Sequence, residues 1–282
     1  MVTIGITTYN RMYLLKIMAE SLYTSLRLNS CNIRVYDDCS TEYGIDELKQ
    51  IFPTAVSITK NTYNLKSDKN IYQMYKDFLL SSDDYFFNAD SDIIFYPDWL
   101  NFALDLIQKT DGVLSLLNSV VHPVKEIINE KLCIKEHIGS AGTLFTRKRM
   151  EELMTQFHDI KTVEGFDWRW SEYFWSKNIP IYCVNDSLVQ HIGYTGQNSK
   201  AFFDFGRNFT LTSVSQGQII NDVFEQFLTA QLKEQERLAK LDNSLLYHIR
   251  KVLVLVLKCI LPKKLTSILI AYRKKRQGAK DK

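Results

Sequence analysis

The strongest constraint on the fold is a regular alternation of strand-like and helix-like segments over the first hundred residues. Short β-branched or aromatic runs lie at 2–7, 32–36, 55–60 and 85–89. Segments with apolar residues at helical spacing lie between them, at 12–26, 45–52 and 69–81. This alternation predicts an α/β fold with a mostly parallel central sheet.

Polar clusters follow three of the predicted strands, at 7–11, 37–41 and 90–92. In a parallel α/β sheet the ligand crevice lies beyond the carboxyl ends of the strands. Because all three clusters fall at such ends, we expect one binding site that contains them.

Asp90-Ser91-Asp92 follows an apolar strand and predicts a metal site. Alternate residues of an extended segment point the same way, so the two carboxylates share a face. Carboxylate oxygens suit Mg²⁺ or Mn²⁺, which complete their shells with water and phosphate. A solvated turn or a helix cap is the alternative interpretation of such a triplet. His191, which follows a later strand, is either a third ligand or a structural histidine.

The first two clusters predict contacts to a nucleotide. An acid that ends the second strand, such as Asp37, can accept hydrogen bonds from a base or ribose, although it can equally form a turn or cap a helix. The loop at 7–11 can wrap a nucleotide, and the ring of Tyr9 can stack on a base; the alternative is a plain polar loop.

Together these segments resemble the family 2 glycosyltransferases of the GT-A fold over about residues 2–193. The shared stretches read I-G-I-T-T-Y-N-R, V-Y-D-D-C-S-T and Y-F-F-N-A-D-S-D. Cys39 departs from the family, which usually has glycine there, and the usual glycines are also missing from 64–70. The resemblance implies a metal held by Asp90, Asp92 and His191. It also implies nucleotide-sugar contacts at Thr7, Thr8, Tyr9, Asn10, Arg11, Asp37, Asp38, Asn64, Lys66, Lys69, Asp90 and Ser91.

The resemblance further implies a general base at the start of a helix near residue 166. The family has an acidic pair there, and Phe166 replaces the first acid of that pair in this chain. Asp167 is therefore the predicted base of an inverting displacement, with Glu164 as the second candidate; the alternative is that Asp167 only caps the helix. Trp168 and Trp170 are predicted to bind the acceptor or, alternatively, to pack in the core. The segment 193–199 is predicted to close over the donor.

Charge divides the chain into an acidic body and a basic tail. From residue 243 onward there are eleven Lys or Arg and one acid, whereas the preceding part has 24 basic and 31 acidic residues. We therefore predict a GT-A domain at 1–205 and a helical, basic, amphipathic region at 206–282. This region is expected to lie on an anionic membrane surface, or else to dock on the body or a partner chain. Nucleic acid is not expected as a partner, because the tail is apolar as well as basic.

Cysteine usage and the N-terminus predict a reducing compartment. The five cysteines form no C-x-x-C pair, and the chain starts with a strand-like run where a signal peptide would have a basic and then an apolar region. We therefore expect a cytoplasmic protein, peripheral on the inner face of the cell membrane.

The predicted function is inverting transfer of a sugar from a nucleotide-diphosphate donor, with UDP expected, to a hydroxyl of a glycan acceptor. The resemblance and the basic tail point to a lipid-linked acceptor in cell-surface polysaccharide assembly. One alternative is a nucleotidyltransferase, which should have a glycine-rich first loop, whereas 7–11 lacks glycine. A second is a degenerate, non-catalytic scaffold, for which the missing acid at Phe166 leaves room.

Overall fold

The computed structural model describes residues 1–26, 31–159, 164–193, 204–242, 248–249 and 251–253. The chain divides into two compact units, Met1–Phe224 and Glu225–Lys282. The predicted boundary after residue 205 stays a prediction.

The described part contains eleven strands and seven α-helices. The strands are β1 Val2–Thr8, β2 Cys31–Asp37, β3 Ser57–Lys60, β4 Tyr85–Asp90, β5 Ile93–Phe95, β6 Val113–Ser115, β7 Val124–Ile127, β8 Leu132–Lys135, β9 Thr143–Thr146, β10 Ile181–Val184 and β11 Val189–His191. The α-helices are α1 Met12–Ser25, α2 Ile45–Ile51, α3 Ser67–Leu79, α4 Trp99–Ile107, α5 Arg147–Gln156, α6 Phe166–Ser176 and α7 Val214–Asp242.

Nine strands form the central sheet in the order β3-β2-β1-β4-β9-β6-β10-β8-β7. The first four of these strands are mutually parallel, as are β6 and β10, and the remaining neighbours are antiparallel. The α/β class is thus confirmed. The parallel half is the half that the strand–helix alternation predicted, because each of its parallel connections needs a crossover.

The core lies on both faces of this sheet. One buried cluster contains side chains of α1, α2 and α4, and another contains side chains of α3, α5 and α6. Ile4 and Ile6 of β1 belong to the first cluster, whereas Gly5 between them faces α3. A Cβ at Gly5 would come within 2.5 Å of the Met74 sulfur and 2.6 Å of the Phe86 ring, so α3 packs this closely only on glycine.

Two small elements matter for the site or differ from the predictions. β5 and β11 form a separate antiparallel pair, in which Ile93 is opposite His191. β7 and β8 form a hairpin in a stretch for which no regular structure was predicted. Within the described residues, no helix combines the length and the hydropathy needed to cross a bilayer.

Candidate functional site

The polar clusters meet at the carboxyl edge of the parallel strands, as predicted. In the sheet register Thr7 of β1 lies opposite Asp90 of β4, and Thr8 lies opposite Asp37 of β2. The Thr7 hydroxyl donates to Asp90 Oδ1 at 3.1 Å. The end of β1 therefore lies between the acids of its two neighbours.

Asp90, Asp92 and His191 form one cluster at this edge. Each offers a ligand atom, and these atoms all lie within 4.8 Å of one another. The β5–β11 pairing brings His191 to Asp92, since it places His191 opposite Ile93. His191 Nε2 lies 3.2 Å from Asp92 Oδ1, and the Ile192 amide donates to the Asp92 carbonyl oxygen at 2.8 Å.

This donor set fits a divalent cation. Two carboxylates and an imidazole are ligands that Mn²⁺ accepts, and Mg²⁺ binds through one or two carboxylates and phosphate oxygens. His191 Nε2 faces Asp92 and can ligate a cation there once the cation has displaced its proton. His191 Nδ1 is buried and has no hydrogen-bond partner among the described residues. The cluster accordingly suits a hard cation and does not distinguish Mn²⁺ from Mg²⁺.

The protonation of the cluster follows from burial and mutual charge. Burial, and then the neighbouring charge of Asp92, raise the pKa of Asp90 to about 6. Burial opposes ionisation of Asp92 as well, but His191 and Arg11 outweigh it and hold its pKa below the usual range. For His191, burial is outweighed by Asp92, and the pKa is raised to about 9. At neutral pH both acids and the imidazolium are therefore charged.

Arg11 balances the acids from the first loop. Its Nη1 donates to Asp92 Oδ2 at 2.6 Å. Arg11 and Asn10 both have left-handed backbone angles, with φ of 59° and 52°, which turn the chain sharply before α1. The Asn10 carboxamide oxygen accepts from the Thr41 amide at 2.8 Å and so ties the first loop to the second.

The backbone of Gly193 packs directly against the Asp92 carboxylate. A Cβ at this position would lie 2.0 Å from Asp92 Oδ2 and 3.1 Å from Arg11 Nη1. Only glycine therefore fits beside the carboxylate.

Two predicted nucleotide contacts, Thr8 and Asp37, make internal hydrogen bonds in the structure. Asp37 is fully buried; it accepts from the Ser40 hydroxyl and from Lys60 Nζ at 2.5 Å. The Thr8 hydroxyl is also buried and bonds to the Tyr43 hydroxyl. Both side chains thus support the loops at this edge of the sheet, and their contacts to a nucleotide stay predictions.

Asp38 holds the segment that leads into α3. Its Oδ1 accepts from the Leu65 amide at 2.7 Å and from Asn61 Nδ2 at 3.0 Å, and the residue is buried. The Lys66 amide donates to Asn64 Oδ1 at 2.8 Å, and Lys66 takes a left-handed φ of 68°.

The remaining residues predicted to contact the donor differ in their exposure to solvent. Lys66 and Lys69 are exposed, and Tyr9 is half-buried. Ser91 is buried, and its hydroxyl accepts from Arg11 Nη2 at 3.5 Å. Their contacts to a nucleotide stay predictions.

Two neighbouring residues in the first turn of α6, Phe166 and Asp167, have different surroundings. Phe166 is buried against Tyr72, Tyr75 and Phe157, so the position at which the family has an acid belongs to the core here. Asp167 is half-buried; burial, and also the charge of Asp68, raise its pKa.

The buried hydroxyl of Tyr75 senses the charges of both Asp167 and the metal cluster. Tyr75 is fully buried, and its hydroxyl has no hydrogen-bond partner among the described residues. After burial, the charges of Asp90 and Asp167 both raise its pKa, so both carboxylates lie within electrostatic reach of this group. Glu164, the second candidate base, is exposed.

The two tryptophans of α6 differ in their exposure to solvent. Trp168 is 53% exposed and packs against the His137 ring, with centroids 4.4 Å apart, and against His122 at 6.1 Å. Trp170 is fully buried between Phe145 and Phe174, which is the arrangement that the alternative of core packing describes.

Several functional neighbours escaped the sequence analysis. Lys60 neutralises Asp37, and the only sequence signal for this pair is that each ends one of two adjacent strands. His137 comes from the turn after β8, and no sequence pattern connects it with Trp168. The predicted flap over the donor lies outside the described residues except for Gly193, and so does most of the basic tail.

Comparison with known proteins agrees with this geometry. A sequence profile described as Glycosyl transferase family 2 matches residues 3–160. A search of curated proteins finds no match. Solved structures of S. aureus TarS share the fold. Full TarS aligns with a TM-score of 0.51 and 13% identity over 79% of this chain and 38% of TarS.

The fragment TarS 1–349, solved in complex with UDP, aligns with a TM-score of 0.50 and 14% identity over 67% of this chain. The chain spans 59% of that fragment. Identities this low show the fold alone. The profile, by contrast, covers more than half of the chain, and this protein therefore belongs to glycosyl transferase family 2.

Proposed function

We propose that this protein is an inverting glycosyltransferase that moves a sugar from a nucleotide-diphosphate donor to a hydroxyl of a glycan acceptor. The observation that carries the proposal is the Asp90–Asp92–His191 cluster at the carboxyl edge of the sheet, within electrostatic reach of the same buried hydroxyl as Asp167. The cluster supplies a site for a diphosphate with its cation, and Asp167 supplies a base.

The cluster would hold Mn²⁺ or Mg²⁺ together with the donor diphosphate. Such a cation, when bound, acts as a Lewis acid that stabilises the charge of the departing diphosphate. Arg11 lies at the same carboxylate and adds a positive charge that can turn toward the phosphates. Lys66 and Lys69 are exposed cations at the start of α3 that are suited to the same anion.

Asp167 acts on the acceptor. It takes the proton of an acceptor hydroxyl as that oxygen forms a bond to the anomeric carbon. The bond from the anomeric carbon to the diphosphate oxygen breaks, and the electron pair leaves with the nucleoside diphosphate. The raised pKa of Asp167 supports this role, because a base whose pKa is closer to the working pH accepts a proton more readily.

Trp168 is proposed to bind the acceptor sugar. It directly follows Asp167, exposes half of its surface, and is flanked by His137 and His122. Burial lowers the pKa of His122, so this imidazole is neutral at pH 7 and offers one donor and one acceptor to hydroxyl groups. We propose a UDP-sugar as the donor, since TarS has been solved with UDP.

The C-terminal region is proposed to place the enzyme on the cytoplasmic face of a membrane, where it extends a lipid-linked glycan for a surface polysaccharide. Its described residues expose apolar side chains that are all more than 40% exposed, namely Leu228, Leu232, Ile249, Val252 and Leu253. The sequence beyond them is rich in Lys and Arg. Apolar and basic groups together favour an interface of anionic lipid.

The membrane arm is tested by sedimentation of the full chain with vesicles. We expect the protein to bind vesicles that contain phosphatidylglycerol. Salt at about 0.5 M should weaken this binding, because it screens the attraction between the basic side chains and the anionic lipid. Equal failure to bind anionic and neutral vesicles would contradict the proposed location and leave the activity untouched.

The activity is tested by release of nucleoside diphosphate from a panel of nucleotide sugars with Mn²⁺, with Mg²⁺ and with EDTA. We expect release from one sugar that depends on metal and is lost in Asp92→Ala. Asp46→Ala is the matched control, because Asp46 is an acid in the first turn of α2 whose side chain is 90% exposed. Absence of turnover and of nucleotide binding across the panel would refute the proposed function.

A further inference from the structure

The helix that carries the proposed base has no cap of its own. α6 begins at Phe166, and Gly165 occupies the N-cap position with a left-handed φ of 66°. Glycine has no side chain to accept hydrogen bonds from the first free amides of a helix, which otherwise need a partner. Asp167 Oδ1 accepts from the Trp168 amide at 2.9 Å, which leaves the Gly165 and Phe166 amides to be satisfied from elsewhere.

Asp68, from a distant part of the chain, supplies the missing cap. Its Oδ2 accepts from the Gly165 amide at 2.9 Å, and its Oδ1 accepts from the Phe166 amide at 3.3 Å. The carboxylate thus uses both oxygens on the two amides that precede Asp167. A negative charge at this position also interacts favourably with the helix dipole.

Asp68 lies between the predicted donor contacts Lys66 and Lys69, in the first turn of α3. The chain just before it is fixed by Asp38, which accepts from the Leu65 amide. A continuous set of contacts therefore leads from the end of β2 through the donor segment to the first turn of α6.

We propose that Asp68 is a positioning residue that holds Asp167 in place for proton transfer and connects it to the donor-binding segment. This inference rests on the proposed function, since it concerns the base of that reaction. Asp68 touches neither substrate nor the reacting atoms; it acts through the two amides at the start of α6.

Asp68 has a second, electrostatic effect on the base. The groups that face Asp167 are Asp68 from α3, His137 from the turn after β8, and the Tyr75 hydroxyl. After burial, Asp68 raises the pKa of Asp167, whereas His137 opposes the rise. Removal of the Asp68 charge should consequently make Asp167 a weaker base that loses its proton at lower pH.

Two variants separate the cap from the charge. Asp68→Asn retains an oxygen that can cap the helix and removes the charge, so we expect the acidic limb of the pH profile of kcat to move to lower pH. Asp68→Ala removes both, and we expect kcat to fall roughly 10- to 100-fold with an unchanged KM for the donor, since misplacement by about 1 Å has costs of that order. Partial recovery of kcat in Asp68→Asn relative to Asp68→Ala is expected, because asparagine is a good cap.

A second readout does not depend on turnover. Amide hydrogen exchange of the peptide that begins at Glu164 should be faster in Asp68→Ala than in wild type, and unchanged in the control Asp46→Ala. Exchange and kcat that match wild type in both Asp68 variants would overturn the proposal. A wild type without turnover would refute the proposed function instead, and exchange of the α6 amides would still decide whether Asp68 holds this helix.

Discussion

Neutralising the two acids of the metal cluster should change the stability of the metal-free protein in opposite directions. Asp90 has a raised pKa because burial and the charge of Asp92 disfavour its ionised form. Asp92 has a lowered pKa because His191 and Arg11 favour its ionised form. We expect Asp90→Asn to stabilise the fold at neutral pH and Asp92→Asn to destabilise it, although both variants lose metal-dependent turnover.

The magnitudes follow from the two environments. A rise of the Asp90 pKa from 3.8 to about 6 corresponds to about 3 kcal/mol at most. Partial exposure and salt reduce this upper bound, so we expect Asp90→Asn to stabilise by about 1–3 kcal/mol, or about 2–8 °C in Tm. Loss of a buried ion-pair partner costs about 3–5 kcal/mol, and the partial exposure of Arg11 reduces the cost of Asp92→Asn to about 1–3 kcal/mol.

The sign of each effect fixes its pH window. The folded-state pKa of Asp90 lies above its ordinary value, so its ionisation costs stability above about pH 6 and nothing below about pH 4. The gain from Asp90→Asn should therefore vanish on acidification. The pKa of Asp92 lies below its ordinary value, so its contribution is present at neutral pH and is lost only as pH falls through the folded-state pKa.

The assay is urea unfolding in EDTA at pH 4, 6 and 8, followed by addition of Mn²⁺. Wild type should gain about 2.7 kcal/mol when Mn²⁺ is present at 100 times its dissociation constant, and neither variant should gain as much. If Asp90→Asn is less stable than wild type at pH 8 in EDTA, the argument from charge repulsion is wrong. If both variants respond to Mn²⁺ as wild type does, these acids are not the ligands.

Four further substitutions test the other parts of the site. Asp167→Asn should lower kcat by roughly 10²- to 10⁴-fold in the transfer assay and leave the donor KM unchanged. Trp168→Ala should raise the acceptor KM by up to about tenfold and leave thermal stability within about 0.5 kcal/mol, whereas Trp170→Ala should lower stability by about 3–5 kcal/mol in urea unfolding. Gly193→Ala should weaken Mn²⁺ binding by roughly 10- to 100-fold in a metal titration, since its Cβ would displace Asp92.

The sequence predicted the parallel half of the sheet well because local patterns are sufficient there. β1, β2 and β4 are short runs with buried apolar side chains, and each strand from β1 to β3 is followed directly by a helix. β7 was missed because its residues from Lys125 to Ile127 are exposed at the sheet edge, so no alternation of buried and exposed side chains marks it. Its partner β8 is buried but only four residues long.

The site was predicted where it depends on strand ends and missed where it depends on register. Asp90 and Asp92 were identified because they lie at the end of β4 and just beyond it. The engagement of Asp37 by Lys60 follows from the β2–β3 pairing, in which the two residues are opposite each other, and no pattern within either strand carries that information. The cap that Asp68 gives to α6 joins positions 97 residues apart, which only tertiary structure brings together.

The β5–β11 pairing limits how far this protein can be divided. Residues 3–160, which match the family profile, contain both acids of the metal cluster but neither His191 nor Asp167. A fragment that ends there would retain two repelling carboxylates and would lack the imidazolium that offsets them. The nascent chain likewise emerges from the ribosome with its two acids first, and they gain this counter-charge only after a further hundred residues have been made.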